Sequence, residues 1–163
     1  MFQRSGRFVK KEGHIMFDII IIGGGPAGLT AALYGRRQNK SVLVLEKNSF
    51  GGQTVFSPKI ENYPGFVEMS GMEFSDKLVD QVLKQGADLR METAVEITDL
   101  GKTKKVTTDC GEYESRAVII ATGAKHRLLG LEGEEELIGN GISFCAVCDG
   151  AFYAGKDVAV IGG

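Results

Sequence analysis

An apolar run, Phe17-Asp18-Ile19-Ile20-Ile21-Ile22, leads straight into Gly23-Gly24-Gly25-Pro26-Ala27-Gly28. Few folds accept that junction. The run reads as a strand, and the glycines read as a tight turn with room for close backbone approach. Pro26 fits the first turn of a helix, where its missing N–H costs nothing. Residues 27–38 are therefore expected as a short helix rich in small side chains, and 41–46 as a second buried strand. Together they make a β-α-β unit, which implies a parallel strand pair joined by a crossover.

Gly23, Gly25 and Gly28 have the G-x-G-x-x-G spacing, which is weak evidence alone. Here it follows a strand, opens a helix, and is followed by Glu46, eighteen residues beyond Gly28, at the end of the next strand. That is the context a dinucleotide-binding turn requires. Gly23 permits the sharp turn, Gly25 lets a pyrophosphate approach the backbone, and Gly28 lets helix and strand pack closely. The N-terminus of the helix that Pro26 opens offers the free N–H groups of the residues after it, and partial positive charge, to phosphates. Glu46 can accept hydrogen bonds from both ribose hydroxyls. The spacing does not separate FAD from NAD. Gly51-Gly52-Gln53 lies just beyond Glu46, where it could wrap a long cofactor. Ala121-Thr122-Gly123 follows the apolar run 118–120 and allows a ligand to approach its backbone; the plainer alternative is an ordinary strand-ending turn.

Composition narrows the classes that remain. Glycine is 23 of 163 residues, about twice its usual share, in keeping with many turns or close approaches. Lys and Arg total 19 against 21 Asp and Glu, a net charge of -2. No strong positive field draws in nucleic acid or anionic lipid. No apolar run approaches the roughly 18 residues of a membrane span. Three cysteines are too few and too unevenly spaced for a secreted disulfide framework, so a cytoplasmic location is expected.

Residues 71–85 read as an amphipathic helix with Met72, Phe74, Leu78, Val79, Val82 and Leu83 on one face. Short strands are expected at 88–92, 94–100, 104–108 and 113–121, and 47–64 and 125–140 as loops. The acidic run 132–136 reads as solvated, as does His126 between Lys125 and Arg127. Residues 1–15, basic at their start, are expected to be a non-native or disordered leader ahead of a start at Met16. At the other end, 158–161 reads as a strand buried on both faces, and Gly162-Gly163 as the first glycines of another nucleotide turn. The chain is accordingly expected to be the N-terminal part of a longer protein.

Cys145-Ala146-Val147-Cys148 is a C-x-x-C followed by Asp149-Gly150. Zinc needs four ligands, and Cys110, His14 and His126 are scattered singly, so no metal is expected. A dithiol/disulfide couple needs only the pair, and such thiols often react as thiolates near neutral pH. Asp149 is placed either to exchange a proton with a nearby thiolate or to cap a turn.

A glycine turn, then Cys-x-x-Cys-Asp-Gly, then a second nucleotide strand resembles the low-molecular-weight thioredoxin reductases. The resemblance runs from Phe17 to Gly163 and also rests on Glu61-Asn62-Tyr63-Pro64-Gly65 and Ile120-Ala121-Thr122-Gly123-Ala124. It implies an α/β fold: residues 16–130 as the N-terminal part of a Rossmann-like FAD-binding domain, and 131–163 as the start of an NADPH-binding domain. It implies FAD held by Gly23, Gly25, Pro26, Ala27, Gly28, Glu46, Gly51, Gly52 and Gln53, with Asn62, Ala121, Thr122 and Gly123 lining it. It further implies a homodimer in which NADPH reduces FAD, FAD reduces a Cys145–Cys148 disulfide, and the dithiol reduces thioredoxin. Cys148 is then the thiol nearest the flavin, Cys145 the thiol that attacks thioredoxin, and Asp149 the acid–base. The NADPH site falls mostly beyond Gly163, and these residues alone are expected to be inactive. The alternatives are a ferredoxin-fed or peroxiredoxin-system disulfide reductase, and a non-catalytic flavin-binding redox module.

Overall fold

The structure is a computed structural model that describes residues 9–11 and 14–162, with side chains from Met16 onward except Cys148. Of the expected leader, residues 1–8 and 12–13 lie outside the described residues, as does Gly163. Residues 9–11 form β1 (Val9–Lys11), which pairs antiparallel with the start of β2 (His14–Ile22).

The β-α-β unit forms where the sequence places it, as β2, α1 (Pro26–Arg37) and β3 (Val42–Glu46). Pro26 opens α1, Arg36 and Arg37 sit in its last turn, and Lys40 and Ser41 lead into β3. Basic residues there suit the negative end of the helix. The next helix, α2 (Gly71–Lys84), starts at Ser70, whose hydroxyl accepts the Glu73 N–H at 3.1 Å. A serine at that position satisfies one of the amides that a helix start leaves bare.

After α2 come β4 (Asp88–Met91), β5 (Ala94–Asp99), β6 (Lys104–Thr108) and β7 (Glu112–Ile120). The sheet order is β4-β3-β2-β7-β6-β5, with β1 attached to β2. Strands β4, β3, β2 and β7 run parallel, while β5, β6 and β7 form an antiparallel meander. In β3, Val42 and Val44 pack with Ile21, Leu29, Ala32 and Val82 on the side of the two helices. Leu43 and Leu45 pack with Phe17, Ile20, Val106 and Tyr113 on the other side. Both faces are covered, which explains the unbroken apolar character of the strand. Each such aliphatic side chain contributes about 1.5–3 kcal/mol by leaving water.

Three expectations are corrected. The loop 47–64 contains a 3₁₀ turn, Gly52–Phe56, and Ile60 bridges to Met69. The acidic run is not wholly solvated. It contributes a short helix, α3 (Glu134–Leu137), and Glu134 is buried. Residues 158–161 form no strand: Val158, Val160 and Ile161 are 63%, 86% and 69% exposed. An extended segment becomes a strand only when a neighbour satisfies its backbone, and no described strand pairs with this one.

Candidate dinucleotide and dithiol site

Parallel register brings the ends of β2, β3 and β7 to one edge of the sheet, with Ile22 opposite both Leu45 and Ile120. The chain continues from that edge as Gly23, Glu46 and Ala121. The Gly23 N–H donates to the Leu45 carbonyl at 2.8 Å, and the Ala121 N–H donates to the Ile22 carbonyl at 2.8 Å. Ligands of open parallel sheets bind outside the carboxyl ends of strands, as at this edge.

The glycines of the turn do different things. Gly23 has φ +108°, and a Cβ there would drive into the Ala121 carbonyl. A Cβ on Gly28 would strike the Gly23 carbonyl and press Ile21 Cγ2 at 3.3 Å, so helix and strand can meet only if residue 28 has no side chain. Gly25 differs. A Cβ on it would meet nothing nearer than the Gly52 Cα, an ordinary contact at 3.8 Å. Internal packing therefore leaves residue 25 free to be alanine, and the space a methyl would fill stays open above the turn.

No side chain caps the start of α1, and its first turn carries no acid. Helix amides left bare beside open space are of the kind that can hold an anion such as a pyrophosphate. Glu46 closes the turn from the other side. Its Oε2 accepts the Gly24 N–H at 2.7 Å and its Oε1 accepts the Asn48 N–H at 3.0 Å. The Gly51 N–H donates to the Gly24 carbonyl at 2.8 Å, bringing Gly51 and Gly52 against the turn. Gln53 Nε2 donates to the Ala124 carbonyl, tying that segment to the loop after β7. Thr122 and Gly123 are exposed on this loop. Asn62 is exposed too, and among the described residues no hydrogen bond joins it to the turn.

The cysteine segment folds as a single turn, α4 (Ala146–Asp149), with the Asp149 N–H donating to the Cys145 carbonyl at 3.0 Å. Cys145 is half-buried and disulfide-bonded. Cys148 lies on α4, and its side chain is outside the described residues. Cys110, in contrast, is a free, exposed thiol beside Asp109. The Asp109 side chain, followed by burial, pushes that thiol up, away from the thiolate form. Among the described residues, no group of three or more His, Cys, Asp or Glu converges as a metal site would.

Some contacts had no usable signal in the sequence. Asn48 shares the Glu46 carboxylate through its backbone, which any residue type provides. Ser143 donates to Asp149 Oδ2 at 2.6 Å, yet a Ser six residues before an Asp is no recognised pattern. His126 is exposed as expected, but its ring also stacks on Phe144 at 4.3 Å and 5°, touching the residue next to Cys145. Glu134 accepts the amides of Leu129, Gly130 and Leu131 at 2.8, 2.7 and 3.1 Å.

A parallel sheet with a glycine turn, an acidic strand end and a small-residue loop at one edge defines a Rossmann-like dinucleotide-binding domain, here with a cysteine pair downstream. The sequence profile of the pyridine nucleotide-disulphide oxidoreductases matches residues 17–163. The chain belongs to that family. It is 47% identical to the thioredoxin reductase of Listeria monocytogenes over 148 residues, 91% of this chain and 46% of that protein. It is also 47% identical to the bifunctional thioredoxin reductase/thioredoxin of Mycobacterium leprae, over 90% of this chain and 32% of that protein. The crystal structure of thioredoxin reductase from Streptococcus pyogenes superposes with a TM-score of 0.81 at 46% identity, covering 85% of this chain and 45% of that one. The chain thus spans about half the length of the first of these relatives and of that structure. No helix among the described residues is long and apolar enough to cross a membrane.

Proposed function

We propose that the protein containing this chain is a flavin-dependent disulfide reductase: NADPH is the electron donor, FAD the carrier and oxidised thioredoxin the acceptor. The observation that carries this reading is the pairing, in one chain, of an open dinucleotide turn at Gly25 with a disulfide-bonded Cys145 one helical turn from Asp149. The identity to thioredoxin reductases over 91% of the chain supports the acceptor, as does the mycobacterial relative, a bifunctional thioredoxin reductase/thioredoxin. The further expectation is of a cytoplasmic homodimer, with residues 16–130 in the FAD domain and 131–163 opening the NADPH domain.

In this reading Gly25, Ala27 and Gly28 present bare amides to the pyrophosphate, Gly23 and Pro26 shape the turn beneath it, and Glu46 orients the ribose through the lone pairs that Gly24 and Asn48 leave free. Gly51, Gly52 and Gln53 close over the cofactor, and Asn62, Ala121, Thr122 and Gly123 line it. When bound and reduced by NADPH, the flavin would supply the two electrons that open the Cys145–Cys148 disulfide. Those two electrons and two protons convert the disulfide into two thiols, with Cys148 on the flavin side.

Discharge to thioredoxin restores the bond. The Cys145 thiolate attacks one sulfur of the thioredoxin disulfide and expels the other as a thiolate. Cys148 then attacks the Cys145 sulfur of the mixed disulfide, releasing the second thioredoxin sulfur and re-forming Cys145–Cys148. The two expelled thiolates take up the two protons that the Cys145 and Cys148 thiols give up. Asp149 relays these protons and ends the cycle as it began. One disulfide cannot meet a flavin and a protein partner at once, so the segment carrying it must move between the two steps.

The test is Cys148→Ser in the complete, FAD-loaded protein, followed by NADPH-dependent reduction of a thioredoxin disulfide. Turnover is expected to disappear while flavin content is retained. Undiminished turnover would remove the cysteine pair from the mechanism.

A further inference from the structure

Ser143 stands just before the cysteine pair and bonds to both ends of the turn that holds it. Its Oγ accepts the Cys145 N–H at 3.1 Å. Its hydroxyl lies 2.6 Å from Asp149 Oδ2 and 3.4 Å from the Cys145 carbonyl. A serine hydroxyl has one hydrogen to donate. At 2.6 Å from a carboxylate that hydrogen belongs to Asp149, because the distance is typical of a charge-assisted O–H···O⁻ bond, whereas 3.4 Å is near the limit of any hydrogen bond. The Asp149 N–H meanwhile donates to the Cys145 carbonyl at 3.0 Å. Asp149 is thus tied to the Cys145 backbone twice, its main chain directly and its carboxylate through Ser143.

We infer that Ser143 is a positioning residue for the dithiol: its hydroxyl holds the Asp149 carboxylate in the orientation from which it exchanges protons with the cysteine thiols. The inference rests on the acid–base role given to Asp149 above. An aspartate side chain turns freely about two bonds, and α4 is too short to restrict it. No salt bridge joins Asp149 to a described cation. Without the serine hydroxyl the carboxylate spreads over several rotamers, and only a fraction of encounters finds it aimed at sulfur. Binding of thioredoxin does not depend on that orientation, so the loss falls on turnover and not on affinity. The hydroxyl acts only through Asp149, so its effect disappears once the carboxylate is gone.

The experiment uses the complete FAD-loaded protein and four variants: Ser143→Thr, Ser143→Val, Asp149→Asn, and Ser143→Val combined with Asp149→Asn. Threonine and valine match in shape and differ by the hydroxyl, so a packing fault affects both alike. Steady-state reduction of thioredoxin by NADPH gives kcat and KM, and flavin absorbance reports the folded fraction. Asp149→Asn is expected to lower kcat by about 100-fold or more, the usual range for losing a general acid–base. Ser143→Val is expected to lower kcat about tenfold with KM for thioredoxin unchanged, and Ser143→Thr to stay within about twofold of wild type. The double variant is expected to match Asp149→Asn alone. Equal rates for Ser143→Val and Ser143→Thr overturn the inference. So does a double variant slower than Asp149→Asn by the full factor of Ser143→Val, because the serine then acts independently of the carboxylate. Wild-type turnover in Asp149→Asn would instead defeat the acid–base reading itself, and the positioning role with it.

Discussion

Glu46 holds Gly24 through a 2.7 Å hydrogen bond from the glycine amide to Oε2, so the acid at the end of β3 helps fix the turn at the end of β2. The other oxygen takes the Asn48 N–H at 3.0 Å. A carboxylate oxygen has two acceptor positions, so each keeps one for an outside hydroxyl. Glu46 therefore both shapes the turn and remains able to bind a ribose.

Glu46→Ala removes both functions. Hydrogen bonds to a charged group contribute about 1.5–3 kcal/mol each, so FAD affinity is expected to fall about 10- to 100-fold. Titration of the apoprotein with FAD, followed by quenching of flavin fluorescence, measures this. An unchanged dissociation constant counts against the placement of the ribose at Glu46.

Gly25 and Gly28 separate the open space above the turn from the packing space beneath it. A Cβ at Gly28 collides with the Gly23 carbonyl, whereas one at Gly25 finds its nearest neighbour at 3.8 Å. Gly28→Ala is expected to lower both stability and FAD binding, with a destabilisation of about 1–3 kcal/mol from overpacking. Gly25→Ala is expected to leave the melting temperature of the apoprotein within a degree or two and to abolish FAD retention. Thermal unfolding of apoprotein and flavin content after purification distinguish the two. If Gly25→Ala binds FAD normally, the pyrophosphate does not lie over residue 25.

The parts of this site legible in the sequence are those in which one local pattern has one physical cause. β3 reads correctly because Val42, Leu43, Val44 and Leu45 are all buried, on alternating faces. The turn reads correctly because a Cβ at Gly23 or Gly28 has nowhere to go. Illegible parts depend on distant partners. The 3₁₀ turn Gly52–Phe56 is positioned by Gly51 bonding to Gly24 and by Gln53 bonding to Ala124. Glu134 looks like its acidic neighbours in sequence and differs only because three amides converge on it. The misread segment 158–161 has the composition of a core strand, but composition does not supply a pairing partner.

Asp18 and Ser41 clamp the entrance to the parallel pair and predict acid sensitivity. Asp18 Oδ2 accepts the Ser41 N–H at 2.9 Å and the Ser41 hydroxyl lies 3.0 Å away, while Ser41 Oγ accepts the Asp18 N–H at 2.8 Å. Burial pushes the Asp18 carboxyl up, but the Ser41 bonds and the charges of Lys40 and Arg116 outweigh it and hold the group below its ordinary value. A depressed carboxylate stabilises the fold fully above its unfolded value of 3.8, and loses that contribution as pH falls through the lower folded value. Asp18→Asn is expected to cost about 1–2 kcal/mol at pH 7, with the gap to wild type closing as pH falls through the lowered folded value. Urea unfolding at a series of pH values gives the result. A gap that persists unchanged into acid shows that the Asp18 charge does not matter.

Glu134 makes a second acid-sensitive point, in the connection between the sheet and the cysteine segment. The Leu129 amide holds its carboxyl below the ordinary value; burial opposes this, and the Leu131 and Gly130 amides reinforce it. As with Asp18, a depressed carboxylate protects its partners above its unfolded value of 4.5 and releases them as pH falls through the folded one. Glutamine is a demanding substitution here, because it keeps one acceptor but turns an NH₂ toward amides that are themselves donors. In Glu134→Gln the amides of Leu129, Gly130 and Leu131 are expected to exchange hydrogen faster than in wild type at pH 7, with amides in β2 and β3 unaffected. As pH falls through that lowered folded value the two proteins should converge, because wild-type Glu134 then takes up a proton and loses the charge that held the loop. Exchange followed at matched pH by mass spectrometry tests both halves. Equal exchange at pH 7 contradicts the anchoring role, and a difference that survives into acid means the loop is held by something other than the carboxylate charge.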